Sequence, residues 1–251
     1  MIEDMKSSWR LGAAACVSGF TLMAHELVAA RLLAPSVGSS TYVWTGVIGV
    51  IIIALSAGCW LGGRVADYRH APQDVGLLLI IAAVLVVTTM LSANNTLRWL
   101  TTVLDEPRIQ AVIAALALFA PASFVLGAVS PYLAKLNVSS LDTAGRSVAN
   151  LSALDAVGGI AGTFVTGFVL LGMIGLNETL ALITGILLAT SWLFIPRWQW
   201  QLRALMVGAV IVAALSGLYT PKYGDVSIET PSAHYSIVNY TSNGRQIRGL
   251  V

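Results

Sequence analysis

The residue that most constrains this chain is an acid in an apolar place. His25-Glu26 interrupts residues 11–33, a run otherwise apolar enough to cross a bilayer. A carboxylate in hydrocarbon costs several kcal/mol unless it is paired, protonated or hydrated. Six further runs read the same way, at 42–61, 75–91, 111–133, 151–174, 180–195 and 204–219. Lipid rather than water is therefore the expected solvent for most of the fold. Backbone polar groups in lipid must be satisfied within the chain, so each run is expected to be helical. A closed barrel would need segments of about ten residues alternating in polarity, and these runs are longer and uniformly apolar.

Composition agrees, since 57% hydrophobic, 10% charged and a mean hydropathy of +0.80 stand far from the roughly 25% charged residues of soluble domains. A net charge of +2, with no basic cluster among aromatics, excludes nucleic acid as a partner. Cys16 and Cys59 lie in apolar runs and read as small packing residues. Gly158-Gly159 through Gly162 follows no soluble strand and does not read as a phosphate loop. Neither a metal nor a cofactor is expected.

Seven spans leave residues 1–219 as one transmembrane domain and 220–251 as a short tail. Lys6, Arg10, Arg64, Arg69, Lys135, Arg146, Arg197 and Arg203 fall on one side of the spans; Arg31, Arg98, Arg108 and Lys222 fall near helix ends on the other. Cytoplasmic loops carry the excess of Lys and Arg, which places the N-terminus inside and, after seven crossings, the C-terminus outside. Trp9, Trp44, Trp60, Trp192, Trp198 and Trp200 read as interfacial anchors near helix ends. Pro121, inside the fourth run, removes a helix hydrogen bond and predicts a kink. Ala54, Gly58 and Gly62 in the second run, and Gly158, Gly159, Gly162, Gly167 and Gly172 in the fifth, predict close helix packing.

The candidate binding residues are few. Glu26 leads, with His25 beside it and Arg31 five positions on, near enough in sequence to form a structural ion pair instead. Asp155 is the second acid in an apolar run, expected near the start of the fifth helix. A cationic solute would need both acids on one cavity.

Between the second and third runs stands Gly62-Gly63-Arg64-Val65-Ala66-Asp67-Tyr68-Arg69. Gly63, Arg64, Asp67 and Arg69 resemble the short cytoplasmic loop signature of major facilitator transporters, with Tyr68 where a basic residue is usual. More of the chain resembles the membrane region of proteins that fuse a major-facilitator-like part to a spermidine synthase-like domain. That resemblance runs through Glu26 to Pro35, Gly38 to Trp44, the Gly62-Gly63 stretch, and Gly145-Arg146-Ser147 through Asp155 to Gly167-Phe168.

After Pro221 the pattern turns to short alternating segments, 226–228 and 235–238, with Asn243-Gly244 as a hairpin turn signal. Glu229, Ser232 and Ile237 resemble positions in the opening strands of aminopropyltransferases, with His234 where Tyr is usual. The sequence given ends at Val251, where that family would begin its Rossmann-like catalytic part, so it is expected not to catalyse aminopropyl transfer by itself.

The expected architecture is an all-α integral membrane protein of seven helices, resembling part of a major facilitator bundle, with a β-hairpin tail. The expected setting is a bacterial inner membrane. The resemblance implies a membrane domain that anchors a partner enzyme or handles a small cationic solute. A half-facilitator acting as a dimer and an accessory subunit of a larger membrane complex are the alternatives. The corresponding partners are the lipid bilayer, a separate aminopropyltransferase-like chain, a second copy, or other membrane subunits.

Overall fold

The computed structural model describes residues 2–38, 40–69, 71–138, 141–196, 208, 226–229, 234–242 and 245–250, with side chains described from residue 9 to 196 outside the gaps and residues 141–142. Helices dominate: α1 (Ile2–Val37), α2 (Thr41–Tyr68), α3 (Pro72–Val103), α4 (Pro107–Leu118), α5 (Ala120–Asn137), α6 (Leu141–Val165), a π turn (Thr166–Leu170), the short α7 (Leu171–Met173) and α8 (Leu176–Ser191). Local chemistry sets several boundaries. Gly38, at φ 83°, follows the end of α1. Ser40 caps α2 by accepting from the Val43 amide at 3.4 Å. Pro72 and Pro107 open α3 and α4, where a missing N–H costs no helix bond.

Among the described residues, four helices are long and apolar enough to cross a membrane, five if the bent pair α4–α5 is one span, and this fits an integral membrane protein. A count of seven is not reached among the described residues. The sixth run forms α8, a shorter apolar helix of 16 residues, and the seventh, 204–219, lies outside the described residues apart from Gly208. The third run extends well past its apolar stretch, to Val103, because polar residues such as Asn94, Asn95 and Thr96 continue the helix. α2 likewise runs on to Tyr68, so most of the 62–69 signature is helix rather than loop.

Strand β1 (Val226–Glu229), β2 (His234–Ser242) and β3 (Arg245–Leu250) pair antiparallel in the order β1-β2-β3. Ser242 faces Arg245 in the β2–β3 register. The turn residues between them lie outside the described residues.

The apolar segments pack in a patterned way. Counting α4–α5 as segment four, α6–α7 as five and α8 as six, the principal packings are one on five, two on four, three on four and three on six, followed by one on four, one on six, four on five, one on two and one on three. Exchanging segments one, two and three with four, five and six maps each of these packings onto another of the set, apart from the slight packing of one on three. An internal two-fold between inverted three-helix repeats has a pattern of this kind.

Glycines carry the two closest pairs. A Cβ on Gly158 would collide with the Cys16 carbonyl of α1, and one on Gly162 with that of Phe20. On the other pair, Gly58 meets the Phe124 carbonyl and Gly127 the Leu55 carbonyl. In α1 against α6 the contacting numbers rise together, so the helices run parallel; Asp67 to Lys135 beyond Cys59 to Gly127 shows the same for α2 and α5. Gly76, early in α3, meets Phe194 and Ile195 past the end of α8, so that pair is antiparallel. These directions are those of segments crossing alternately up and down.

The buried core divides in two. One cluster gathers Ala24, Val28, Val86, Met90, Ala122 and Leu126 with their neighbours. The other gathers Ala29, Leu33, Ala93, Leu97, Ala115 and Phe119. The division falls near the middle of α1, α3 and the α4–α5 pair alike.

Candidate functional site

That division coincides with a layer of polar side chains. α4 and α5 meet at Phe119 with a bend of 52°. Pro121 stands in the first turn of α5 and offers no N–H to the Ala117 carbonyl, so the kink expected at this proline is a break between two helices. Thr89 of α3 reaches across and donates its hydroxyl to the Leu118 carbonyl at 2.5 Å. A neighbouring helix thereby satisfies part of the broken ladder.

His25 meets the break from α1. It is fully buried, its ring 5.1 Å from that of Phe119 with the planes tilted by 56°. The Phe119 backbone is the polar group facing it, yet neither ring nitrogen reaches hydrogen-bonding geometry with any partner. Ser123 lies one turn beyond Phe119, fully buried, with an unpaired hydroxyl. Thr166 opens the π turn, also fully buried and unpaired. It stands near the same depth, since a Cβ on Gly167 beside it would lie 3.9 Å from Leu27 Cδ1 of α1. Buried polar groups are nearly always paired, so three such residues at two helix irregularities demand an explanation.

Glu26 sits next to His25, turned about 100° around α1, and is half-buried. Among the described residues it makes no hydrogen bond or ion pair. Arg31 is half-buried further along α1, and no ion pair joins it to Glu26.

Asp155 is not a helix-start residue. It stands fourteen residues into α6, half-buried, its carbonyl against Gly19 of α1 and its side chain within electrostatic reach of Cys59 on α2. Gly19 is seven residues before Glu26, which puts the two acids about 10 Å apart along the bundle. They share a side of α1 without forming one pair.

The signature residues gather at the far end. Asp67 pairs with Lys135 of α5 at 2.8 Å, and Arg69 with Asp74 at 3.3 Å. The Tyr132 hydroxyl lies 2.6 Å from both the Arg69 carbonyl and Asp74 Oδ2. Arg64 stacks over Trp60, 3.6 Å from the ring centroid, and Gly63 lies against Pro131. These contacts tie the α2–α3 connection to the end of α5 and, among the described residues, hold no unpaired buried group.

Sequence reasoning singled out His25, Glu26 and Pro121 but missed Thr89, Phe119, Ser123 and Thr166. Ser and Thr are common enough in apolar helices to pass unnoticed, because they usually donate to their own backbone. Ser123 within a turn of Pro121 was the available signal. Among the described residues no group of His, Cys, Asp and Glu could hold a metal ion. Searches with family models, curated proteins and solved structures find no match to this chain.

Proposed function

We propose that this chain is a membrane domain that handles a small cationic solute at a site around Glu26, in a bundle like the membrane region of the fused major-facilitator-like and spermidine synthase-like proteins. One observation carries it: an unpaired carboxylate midway along an apolar helix, beside a polar layer. Such a group needs water, a proton or a cation. The interchange symmetry of the six packed segments supports the facilitator-like part, since transporter sites lie near the midplane where inverted repeats meet.

Sidedness follows the same reading. Arg10, Arg64, Arg69, Lys135 and Arg146 gather at the end where α2 meets α3 and α5 meets α6; that end faces the cytoplasm of a bacterial inner membrane. A seventh crossing at 204–219 then carries the paired strands to the outer side, as the start of an aminopropyltransferase-like part. An adjacent enzyme chain is the partner this tail would meet, and catalysis would belong to that chain.

A second reading has its own support. α2 and α6 are the least buried of the four long helices, and Asp155 lies on α6 toward α2. A carboxylate there calls for protein cover or water rather than lipid, which favours a half-facilitator closed by a second copy. Uptake of putrescine into proteoliposomes tests the leading reading. Uptake should be saturable and lost in Glu26→Gln; unchanged uptake in that variant refutes it, and a molecular mass of two chains in detergent favours the second.

A further inference from the structure

We propose that the exposed surface of α2 at the basic end of the bundle binds an anionic phospholipid, its phosphodiester on the edge of the Arg64 guanidinium and its acyl chains along the helix beyond Trp60. The surface goes beyond the solute-handling reading and stands whether or not a solute is carried.

Charge pairing sets Arg64 apart. Lys135 has Asp67 at 2.8 Å, and Arg69 has Asp74 at 3.3 Å. At the opposite end of the bundle, Arg108 lies 4.3 Å from the centroid of the Tyr42 ring and has Glu106 at 3.5 Å. Arg64 repeats the ring contact, 3.6 Å from the Trp60 centroid, but no carboxylate among the described residues pairs with it. Arg10 and Arg146, at the same end as Arg64, likewise have no acid partner among the described residues. An anion from outside the chain is what this end can still accept.

The ring contact decides the shape of that anion. Trp60 covers one face of the guanidinium, and the N–H donors project in its plane, where two phosphate oxygens can accept side by side. Trp60 precedes Arg64 by one turn, so the indole supports the cation from the membrane side, at the level where such rings meet lipid head groups.

Beyond the ring, Ile53 and Ala57 are exposed and fall on the same stripe of α2 as Trp60 and Arg64, three or four residues apart. α2 is the least buried of the four long helices. A cation above an apolar stripe matches a molecule that carries a phosphodiester and acyl chains together. Inorganic phosphate would use the cation alone. A zwitterionic lipid would bring its own positive charge up to Arg64, whereas phosphatidylglycerol has an uncharged head beyond its phosphate.

The full chain is reconstituted in vesicles of phosphatidylcholine and phosphatidylglycerol, with bromine on the acyl chains of one lipid or the other, and tryptophan quenching is read. The difference from Trp60→Phe isolates the Trp60 signal. At equal mole fraction, Trp60 should be quenched more by brominated phosphatidylglycerol than by brominated phosphatidylcholine. Arg64→Gln should reduce that preference about five-fold, as loss of one basic residue at an anionic surface does. Arg108→Gln should leave it unchanged, because Glu106 already neutralises that cation.

Equal quenching of Trp60 by the two lipids overturns the proposal, as does a preference that survives Arg64→Gln. A preference reduced equally by Arg108→Gln also overturns it, since the overall charge of the chain would then be responsible. Removal of the preference by inorganic phosphate alone refutes a lipid as the occupant. Should Arg64→Gln fail to fold, the comparison of the two lipids with Arg64 in place still decides.

Discussion

Two regions of the same helices obey opposite rules. Where α1 crosses α6 and α2 crosses α5, backbone touches backbone and glycine leaves no space unfilled. Half a helix away, at Phe119, the ladder breaks and fully buried polar atoms have no partner. The first region is built for stability, since close approach maximises dispersion and weak backbone contacts. The second gives stability up, because an unpaired buried polar group costs about 1–3 kcal/mol. Placing the loss at the depth where the core divides concentrates it in one layer, which is how a binding site differs from a packing fault.

Substitution at the crossings should have the largest effect. Gly158→Leu would force α1 and α6 apart and cost more than about 4 kcal/mol, enough to prevent folding. Gly158→Ala should cost about 1–3 kcal/mol, the clash outweighing alanine's better helix propensity. Gly58→Ala should cost a similar amount, because segments two and four repeat the packing of one and five. Gly185→Ala is the control, with nothing within 4 Å of its added methyl; it should be neutral or stabilising by up to about 1 kcal/mol. Unfolding in mixed micelles measures all four. Tolerance of Gly58→Ala beside failure of Gly158→Ala would break the symmetry.

His25→Leu inverts the sign. Because neither imidazole nitrogen has a partner, an apolar side chain of similar size should stabilise the fold by about 1–3 kcal/mol. Loss of stability would mean that His25 is satisfied in the native state and that the layer is structural. The same unfolding assay reads this effect beside the glycine variants.

How much of this was legible follows from the same contrast. Apolar runs and glycine spacing are properties of single segments, so the helical, membrane-type character of the chain, the close-packed faces and the bend at Pro121 could be read directly. Helix lengths were less so: α2 and α3 continue through Gly62–Tyr68 and Asn94–Val103 because polar residues form helix as well as apolar ones once a segment leaves the membrane core. Asp155 was misplaced for that reason, as α6 begins at Leu141, well before its apolar run. The polar layer was hidden because Thr89, Ser123 and Thr166 lie on three different segments, and only their assembly shows whether each hydroxyl finds a partner. His25 was visible as an oddity, but its lack of a partner was not.

Pro121→Ala addresses the break itself. Restoring the N–H lets the Ala117 carbonyl regain a helix partner, and straightening a 52° bend between arms of 12 and 18 residues would lengthen the segment by about 4 Å. Spin labels near residues 107 and 137 would record that change. Stability should move by only about 1 kcal/mol, since Thr89 already compensates one carbonyl. A bend that persists would assign it to packing of Phe119 against His25 rather than to the proline.

The smallest effect belongs to the charged end, and it sharpens the comparison from outside. Asp67 and Lys135 pair at 2.8 Å with side chains 62% and 44% exposed, so Lys135→Met should cost under about 1 kcal/mol and less still in about 0.5 M salt. Tyr132→Phe should cost somewhat more, about 1–2 kcal/mol, and be insensitive to salt, because its hydroxyl bridges Arg69 and Asp74 from a buried ring. If Lys135→Met nevertheless proves as damaging to putrescine uptake as Glu26→Gln while leaving the unfolding midpoint unchanged, the ion pair controls a motion of α2 against α5. The glycine-closed pairs would then be the moving parts and the polar layer the fixed one, the reverse of the assignment made from packing.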